Sequence, residues 1–572
     1  MSAELLRPAL DRLRRELAPT GRRALAGVCP GARALAVAAL ARETPLVVVV
    51  PSPRDADELV AGLDLLVPEL PALALPAEAV EAYHGRTPPL GATAAASLAL
   101  ANLASGAVRC LVAPARLLPF PLPLPDSLHA RTPRLEVGQR LDPHGLARLL
   151  AAAGYRRAEV VEEAGDFALR GQVIDLATPE LALRLVLDID VIESIAELDP
   201  VTQRSGASRE VAAIPPLRLF PVGESERLTL AAHLESFGCA TAAAAAMDDR
   251  EPALWEGFLG WVLPHRLIWE LAPQVVACEP AAVLAEAGRH LQALRHARET
   301  LQREGVHTPP VEDWLAGLVP CREALAAADE VAELPLEDGT PWVRVRTAPT
   351  PNLASRPQAL QEELRAGAYD ELHQVLVAAS PGEAQRLLHL LTEAELPVRQ
   401  GWPGPGACGV VQGRLERGFM WPDARLSVFG RADLTTLPPP ARQRRTLARV
   451  LADVRDLRPG DFVVHADHGI GRFIGFRSLT FESTTHECVE LEYAGGGKLL
   501  VPLERADVLE KYASAETAPP RLDRLGGSSW ARTKSKVKKA LKDLAEDLLK
   551  VQAQRELATG FAFSKDSPWQ RD

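Results

Sequence analysis

Unbroken apolar runs dominate the first part of the chain. Leu46–Val50 contains four consecutive valines, a pattern typical of a strand buried on both faces of a sheet. Ser52 and Pro53 follow, and a serine N-cap with proline at the first helical position predicts that a helix begins there. An alanine- and leucine-rich helix over Thr93–Leu103 and a second buried strand over Val108–Val112 come next. Strand, helix and strand in this order predict a parallel sheet.

The middle of the chain changes between β-rich and mixed patterns. Three segments, Glu159–Glu162, Phe167–Leu176 and Leu181–Asp188, have strand-like sequences and predict a small β-rich unit. A long helix is predicted over Pro280–Glu304, and residues 369–440 have the pattern of a further small α/β unit.

Alternation of apolar and polar residues appears near the end of the chain. Val489, Leu491 and Tyr493 alternate with glutamates, which predicts a strand with one buried and one exposed face. Gly495–Gly497 can supply the positive φ angles that a tight hairpin needs. We expect a small barrel here, followed by a long helix over 529–558.

These patterns divide the chain into successive units separated by proline-rich stretches. The predicted units are 1–125 and 215–330 (α/β), 130–214 (β-rich, inserted between them), 340–450 (small α/β), 455–515 (barrel), 521–560 (basic linker helix) and 561–572.

Composition narrows the class of protein. Apolar residues make up 47% and the net charge is −11, so the chain as a whole is a poor match for non-specific DNA binding. The seven cysteines contain no CxxC pair, which argues against a disulfide framework or a zinc ribbon and favours a reducing compartment. The apolar runs are far shorter than the ~20 residues of a membrane span. We therefore expect a cytoplasmic protein without membrane contact.

The predicted α/β fold invites a search for a phosphate-binding loop. The segment Gly27–Arg33 occupies that place but lacks the Lys-Ser/Thr pair, and GxxxxGK[ST] occurs nowhere in the sequence. The sequence also lacks a Walker B motif at the expected place. We expect neither nucleotide hydrolysis nor a cofactor in this chain. The glycines of Gly469–Gly475 do not lead into a helix, so they do not form a dinucleotide site.

Two further constellations leave alternatives open. His465 and His468 form an HxxH pair, which is either part of a metal site or a strand end with local hydrogen bonds. Residues 521–542 hold eight basic residues against one acid, Asp523. An apolar stripe at helical spacing runs through them. This segment is either a surface for nucleic acid or an acidic partner, or a solvated helix packed on a neighbouring domain.

The sequence resembles a known family at several motifs. Pro459–Phe473 (PGDFVVHADHGIGRF) resembles the opening of the RNA-polymerase-interacting domain of the bacterial transcription-repair coupling factors, a small barrel shared with CarD-type regulators. Leu491–Gly495 and Leu525–Trp530 fit the coupling factors specifically. Gly165–Leu176 (GDFALRGQVIDL) resembles the second domain of the same factors, which is shared with UvrB.

The resemblance implies a multidomain α/β fold. It comprises a UvrB-like module with a degenerate nucleotide-binding fold and an inserted β-rich domain, a small all-β CarD-like/Tudor-like barrel, and a long linker helix. In this family the inserted domain recruits UvrA through arginines on one sheet face. The matching positions are Arg170 and Arg184, and Asp188 stands at a third position that is usually aromatic. The alternative for each arginine is an ordinary solvated strand residue.

The barrel of this family docks on the β subunit of RNA polymerase through a sheet edge. The resemblance places Arg477, Ser478, Leu479 and Thr480 on the docking strand, with Leu479 as apolar anchor. The alternative is that Leu479 belongs to the barrel core. The intact family member continues into a double-stranded DNA translocase that uses ATP and magnesium, and residues 561–572 resemble the approach to that motor.

The resemblance therefore implies a scaffold for transcription-coupled DNA repair. It would bind stalled polymerase and recruit UvrA, while the motor absent from this chain releases the polymerase. The alternatives are a UvrB-like damage-recognition ATPase or helicase, which the missing phosphate loop disfavours, and a CarD-type transcription regulator, which the long preceding segment disfavours.

Overall fold

The computed structural model describes most of the chain. The described residues are 2–17, 21–80, 82–83, 87–200, 202–220, 222–248, 252–334, 341–353, 356–434, 460–465, 468–481, 484–502, 509–511 and 521–525. They form two compact units, Met1–Pro438 and Pro439–Asp572. The predicted helix over 529–558 and most of the basic segment lie outside the described residues.

A parallel sheet of seven strands, here called the N-terminal sheet, forms the centre of the first unit. In spatial order its strands are Trp342–Arg344, Ala24–Ala26, Asp329–Ala332, Gln274–Cys278, Leu46–Val50, Cys110–Pro114 and Ala72–Ala74. The predicted strand Leu46–Val50 is confirmed, and its five residues are all buried, as expected for a strand covered on both faces. The second predicted strand begins two residues later than expected, at Cys110.

Helices cover both faces of this N-terminal sheet. Ser52 caps its helix as predicted, because its hydroxyl accepts a hydrogen bond from the Asp55 amide. The helix predicted over Thr93–Leu103 extends to Leu90–Ser105, and the long predicted helix ends at Arg303. Together with the helices that pack on the other sheets, the helices of the described residues are Ser2–Glu16, Arg33–Leu40, Pro53–Leu66, Leu90–Ser105, Pro125–Ala130, Pro143–Ala152, Glu224–Ser236, Ala240–Met247, Leu259–Val262, Pro280–Arg303, Val311–Trp314, Leu318–Ala327, Pro357–Tyr369, Pro381–Glu393 and Arg431–Leu434.

A mostly antiparallel sheet is here called the inserted sheet, because its strands fall in sequence between Cys110–Pro114 and Gln274–Cys278 of the N-terminal sheet. In spatial order its strands are Ser205–Arg209, Val191–Leu198, Ala182–Asp188, Val173–Ala177, Asp166–Arg170 and Arg156–Arg157. One face packs its leucines and isoleucines on the helix Pro143–Ala152. The prediction of a strand over Glu159–Glu162 is wrong, since that segment is a loop. The single strand predicted over Phe167–Leu176 is a hairpin that turns at Gly171, where φ is positive.

A third sheet packs against the core of the N-terminal sheet. Its strands, in spatial order, are Val398–Gln400, Cys408–Gln412, His373–Ala378, Leu426–Phe429 and Phe419–Trp421. Phe419 and Val428 share one hydrophobic cluster with Leu35 and Val48 of the N-terminal region. Two small two-stranded sheets pair Arg134–Glu136 with Val211–Ala213, and Leu122–Pro123 with His265–Arg266.

The second unit contains an antiparallel sheet, here called the C-terminal sheet. Its strands, in spatial order, are Lys498–Pro502, Thr484–Glu492, Gly469–Phe481, Phe462–His465 and Leu509–Lys511. The expected barrel is not closed in the described residues. Closure requires the two edge strands to bond each other, and here each edge strand pairs only inward. The alternation at Val489, Leu491 and Tyr493 is confirmed, because all three are buried in the core of this sheet.

Candidate functional site

Asp175 lies at the centre of the face of the inserted sheet that points away from the helix Pro143–Ala152. It sits opposite Arg184 on one neighbouring strand and opposite Ala168 on the other. Its side chain is 0% exposed. A carboxylate removed from water in this way needs charged or hydrogen-bonding partners, and two arginines supply them.

Arg184 and Arg170 both pair with this carboxylate. Arg184 donates from Nε to Asp175 Oδ1 at 2.7 Å and from Nη2 to Oδ2 at 2.8 Å. This two-point geometry is the strong form of the ion pair. Arg170 donates from Nη2 to the same Oδ2. The Arg184 side chain is 19% exposed and that of Arg170 is 44% exposed.

A loop over the sheet face explains the lower exposure of Arg184. Arg184 Nη1 donates to the Gln203 carbonyl at 3.0 Å. Gln203 in turn donates its side-chain amide to the carbonyls of Val161 and Pro200, at 2.9 and 2.8 Å. The structure therefore brings Arg170 and Arg184 together as expected, but it directs Arg184 inward and leaves Arg170 the more accessible.

Asp188 ends the strand that carries Arg184, and it is exposed. The structure describes its position without testing its role. The roles of Arg170, Arg184 and Asp188 in binding UvrA therefore stay predictions. Sequence reasoning singled out neither Asp175 nor Gln203, although Asp175 stands out as an acid in an otherwise apolar strand.

The predicted polymerase-docking residues lie in one strand of the C-terminal sheet. Arg477, Ser478, Leu479 and Thr480 belong to Gly469–Phe481 and pair with consecutive residues of the next strand. On the other side, only residues 469–472 pair with Phe462–His465. Among the described residues, nothing pairs with the second edge of 475–481. Arg477 is exposed, while the side chains of the other three residues lie outside the described part. Their role stays a prediction.

Asp523 fastens a later segment to the C-terminal sheet. Its Oδ2 accepts a hydrogen bond from the Ile470 amide at 2.8 Å, and its own amide donates to the Ile470 carbonyl at 2.9 Å. The Ala494 amide donates to the Asp523 carbonyl, also at 2.9 Å. Asp523 thus links Ile470, which follows Gly469, with Ala494, which precedes Gly495. Sequence reasoning noted Asp523 only as the one acid of a basic stretch.

The HxxH pair lies in the same unit. The rings of His465 and His468 are 4.6 Å apart, centre to centre. In the described part of the chain, no three histidine, cysteine or acidic side chains gather as a metal site would require. Nor does any helix of those residues have the length and apolar character to cross a membrane.

The segment 27–33 follows the first strand of the N-terminal sheet, where a nucleotide-binding fold would place its phosphate loop. The amides of Gly27 and Val28 donate to the carbonyls of Glu333 and Ala332, at 3.1 and 3.2 Å. The Cys29 amide donates to Thr347 Oγ1 at 2.8 Å. These three backbone donors are thus already bonded within the protein.

Two carboxylates neutralise the positive charge of Arg33, at the end of this segment. Its guanidinium contacts Asp55 at 3.0 Å and Glu279 at 3.2 Å. Two carboxylates therefore stand close to the start of the helix Arg33–Leu40, where a phosphate-binding fold needs positive potential.

Two family descriptions match the chain. The description "UvrB interaction domain" matches residues 134–220, which contain the inserted sheet. The description "CarD-like/TRCF RID domain" matches residues 457–513, which contain most of the C-terminal sheet. The fold and these matches define a multidomain α/β protein that combines a UvrB interaction domain with a CarD-like domain.

Transcription-repair-coupling factors are similar to this chain along nearly its whole length. The factor of Mycobacterium bovis is 29% identical over 610 residues, covering 95% of this chain and 48% of the relative. The factor of Bacillus subtilis is 26% identical over 591 residues, covering 96% and 50%. The chain spans about half the length of the curated relatives it matches. The resemblance to the coupling factors that the motifs indicated is confirmed.

Proposed function

We propose that this chain connects a stalled RNA polymerase with the excision-repair protein UvrA. Residues 457–513 bind the polymerase β subunit, and residues 134–220 bind UvrA. The observation that carries the proposal is that one chain holds both matched domains and resembles coupling factors over 95% of its length. The proposal assigns no ATP hydrolysis to these residues.

On the UvrA side, we assign the direct contact to Arg170. Its side chain is the more exposed of the two arginine side chains. Arg170 is also the last residue of its strand. Asp175 acts as a positioning residue, because it holds one end of the Arg170 guanidinium, and Arg184 in turn holds Asp175. A guanidinium held in this way loses less freedom when it pairs with a carboxylate of the partner.

On the polymerase side, residues 475–481 support docking by strand addition, because no described strand pairs with their second edge. In that mode the backbone of a partner strand pairs with an open sheet edge, while side chains along the edge provide specificity. Arg477 is exposed on this strand, and Leu479 is the apolar anchor in the proposal.

Two variants, one at each proposed contact, test the two sites separately. Arg170→Glu is expected to abolish binding to UvrA and to leave binding to the N-terminal part of the polymerase β subunit unchanged. Leu479→Arg is expected to do the opposite. Binding is measured by biolayer interferometry with each partner in turn and then with both together.

Matched controls accompany each variant. Arg148→Glu changes an exposed arginine on the helix side of the inserted sheet, and Ile474→Arg changes an exposed aliphatic residue on the docking strand outside 477–480. Both are expected to bind like the parent chain. A parent chain that binds neither partner would refute the proposal, and binding of only one partner would refute the scaffold role.

A further inference from the structure

The hairpin between Ala182–Asp188 and Val191–Leu198 carries an apolar side chain at an unusual position. Ile189 and Asp190 form its two-residue turn. Ile189 has a φ of 56° and is 79% exposed. Glycine, asparagine and aspartate are the residues that adopt positive φ in such turns, and a β-branched residue there is an outlier. Ile189 thus exposes apolar surface and holds an unfavourable backbone conformation at the same time.

Neighbouring backbone bonds hold this turn in place. The Leu141 amide donates to the Asp190 carbonyl at 2.7 Å, and the Gly138 amide donates to the Ile192 carbonyl at 2.8 Å. These bonds involve no side chain of the turn, so they persist when residue 189 is replaced. A substitution at Ile189 therefore reports on its side chain and its own backbone strain.

Ile189 lies at the same end of the inserted sheet as Arg170. Gly171 and Gln172 form the turn that follows Arg170, and the Leu187 amide donates to the Gln172 carbonyl at 2.8 Å. Ile189 comes two residues after Leu187 in the chain and begins the next turn. The proposed UvrA contact and the exposed isoleucine therefore belong to neighbouring hairpins.

Acidic residues lie close to the isoleucine along the chain. Asp188, Asp190 and Glu193 are all exposed. Arg140 approaches Asp190, with Nε 3.6 Å from Oδ2, and both side chains are largely in solvent. The tip is thus an aliphatic group in a mainly acidic rim, and its complement is an apolar socket with basic residues around it.

We propose that Ile189 is the apolar anchor of the UvrA-binding surface, inserting into an apolar socket of UvrA that has a basic rim. This inference rests on the function proposed above. Interfaces concentrate their affinity in a few apolar or aromatic anchors surrounded by polar contacts. Strained residues persist at sites where the side chain is needed for binding. Ile189 combines both properties beside the most accessible arginine of the site.

Stability and binding should change in opposite directions when Ile189 is replaced. Ile189→Gly relieves the strain at positive φ and removes the apolar group. The melting temperature of this variant is expected to rise, while its affinity for UvrA falls about tenfold or more. Ile189→Leu keeps an aliphatic side chain and is expected to bind within about threefold of the parent chain.

Two measurements separate this inference from the proposed function. Val160→Gly removes another exposed aliphatic residue of the same domain and should leave UvrA affinity unchanged. If Arg170→Glu abolishes UvrA binding while Ile189→Gly binds like the parent chain, the proposed function stands and the anchor role is refuted. If the parent chain does not bind UvrA, both fall together. Hydrogen exchange of residues 166–198 that is no faster than in the parent chain confirms that the inserted sheet of each variant is folded.

Discussion

Arg184 and Asp175 face each other across two antiparallel strands and form a two-point ion pair, with donor–acceptor distances of 2.7 and 2.8 Å. The same carboxylate also accepts a hydrogen bond from Arg170. Because Asp175 is completely buried, the pair is part of the interior of the domain although its arginines reach the surface. The residues predicted for partner binding therefore depend on a residue that no partner can touch.

Removal of the Asp175 charge should destabilise the inserted domain. Asp175→Asn leaves Arg184 largely buried without its counter-charge, and breaking such a pair costs about 3–5 kcal/mol. Urea denaturation, with hydrogen exchange of residues 166–198 as the readout, measures the loss in the free energy of unfolding. Glu197→Gln breaks a surface pair with Arg209 and should cost less than about 1 kcal/mol. Equal losses for the two variants would contradict the internal role of Asp175.

A side chain at Gly31 should separate the third sheet from the N-terminal sheet. A Cβ at this position would lie 2.5 Å from the Arg417 carbonyl oxygen and 2.7 Å from that of Gly418. We expect Gly31→Ala to lower the free energy of unfolding by about 1–3 kcal/mol, as measured by chemical denaturation. Gly382→Ala is the control, since its Cβ would meet no atom within 4 Å, and a helical alanine should stabilise by about 0.5–1 kcal/mol. A neutral Gly31→Ala would argue against the close approach.

Nucleotide should not bind at residues 27–33. The amides of Gly27, Val28 and Cys29 are bonded internally, and carboxylates flank Arg33. We expect the melting temperature to stay constant when ATP and magnesium are added to about 1 mM. Sulfate in the same series controls for general anion effects. A saturable rise specific to ATP would disprove the expectation.

The fold around Asp433 should weaken as the pH rises. Asp433 Oδ2 accepts hydrogen bonds from Thr350 Oγ1 and from the amides of Gly418 and Gly430, at 2.7–2.8 Å. Burial nevertheless raises the pKa of this carboxyl above its ordinary value of 3.8. A raised pKa in the folded state means that stability is complete below the ordinary pKa and is lost as the pH rises through the folded pKa.

Hydrogen exchange of peptides that cover 417–430 tests this dependence between about pH 4 and pH 7. Asp433→Asn keeps the acceptor without the charge, so its protection relative to the parent chain should increase as the pH rises. If the protection of Asp433→Asn relative to the parent chain stays constant or decreases as the pH rises, the three hydrogen-bond donors outweigh burial.

Loss of the Asp523 carboxylate should release the segment 521–525 from the C-terminal sheet. Asp523→Ala removes the acceptor of the Ile470 amide, and a hydrogen bond to a charged group contributes about 1.5–3 kcal/mol. Hydrogen exchange of the Ile470 amide, measured by NMR, should therefore be faster in this variant than in the parent chain. Arg524→Ala, a change at the exposed neighbouring residue, should leave the exchange rate unchanged.

The sequence predicted the elements whose local pattern is strong and missed those that depend on long-range register. The valines of Leu46–Val50 and the cap at Ser52 were sufficient for a strand and a helix start. Glu159–Glu162 has a β-type composition, yet it forms a loop whose Val161 packs with Ala168 and Leu198. Composition alone does not show that partners from later strands hold the segment in this form.

The binding face was predicted less completely than the fold. The motifs indicated Arg170 and Arg184, but their common partner Asp175 follows only from strand register, which a single sequence does not fix. The exposed Ile189 was missed because nothing in its neighbourhood signals a positive φ. A turn of this kind is normally recognised by glycine or asparagine, and here isoleucine takes that place.

The strand Ala24–Ala26 is flanked on both sides by strands from far later in the chain, Asp329–Ala332 and Trp342–Arg344. Cys29, just beyond it, bonds a threonine 318 residues away. During synthesis at roughly 5–20 residues per second, this first strand waits roughly 15–60 s for its neighbours to leave the ribosome. Throughout that interval both of its edges are open to other chains. A chaperone that covers this strand during synthesis would therefore protect the nascent protein from pairing with other chains.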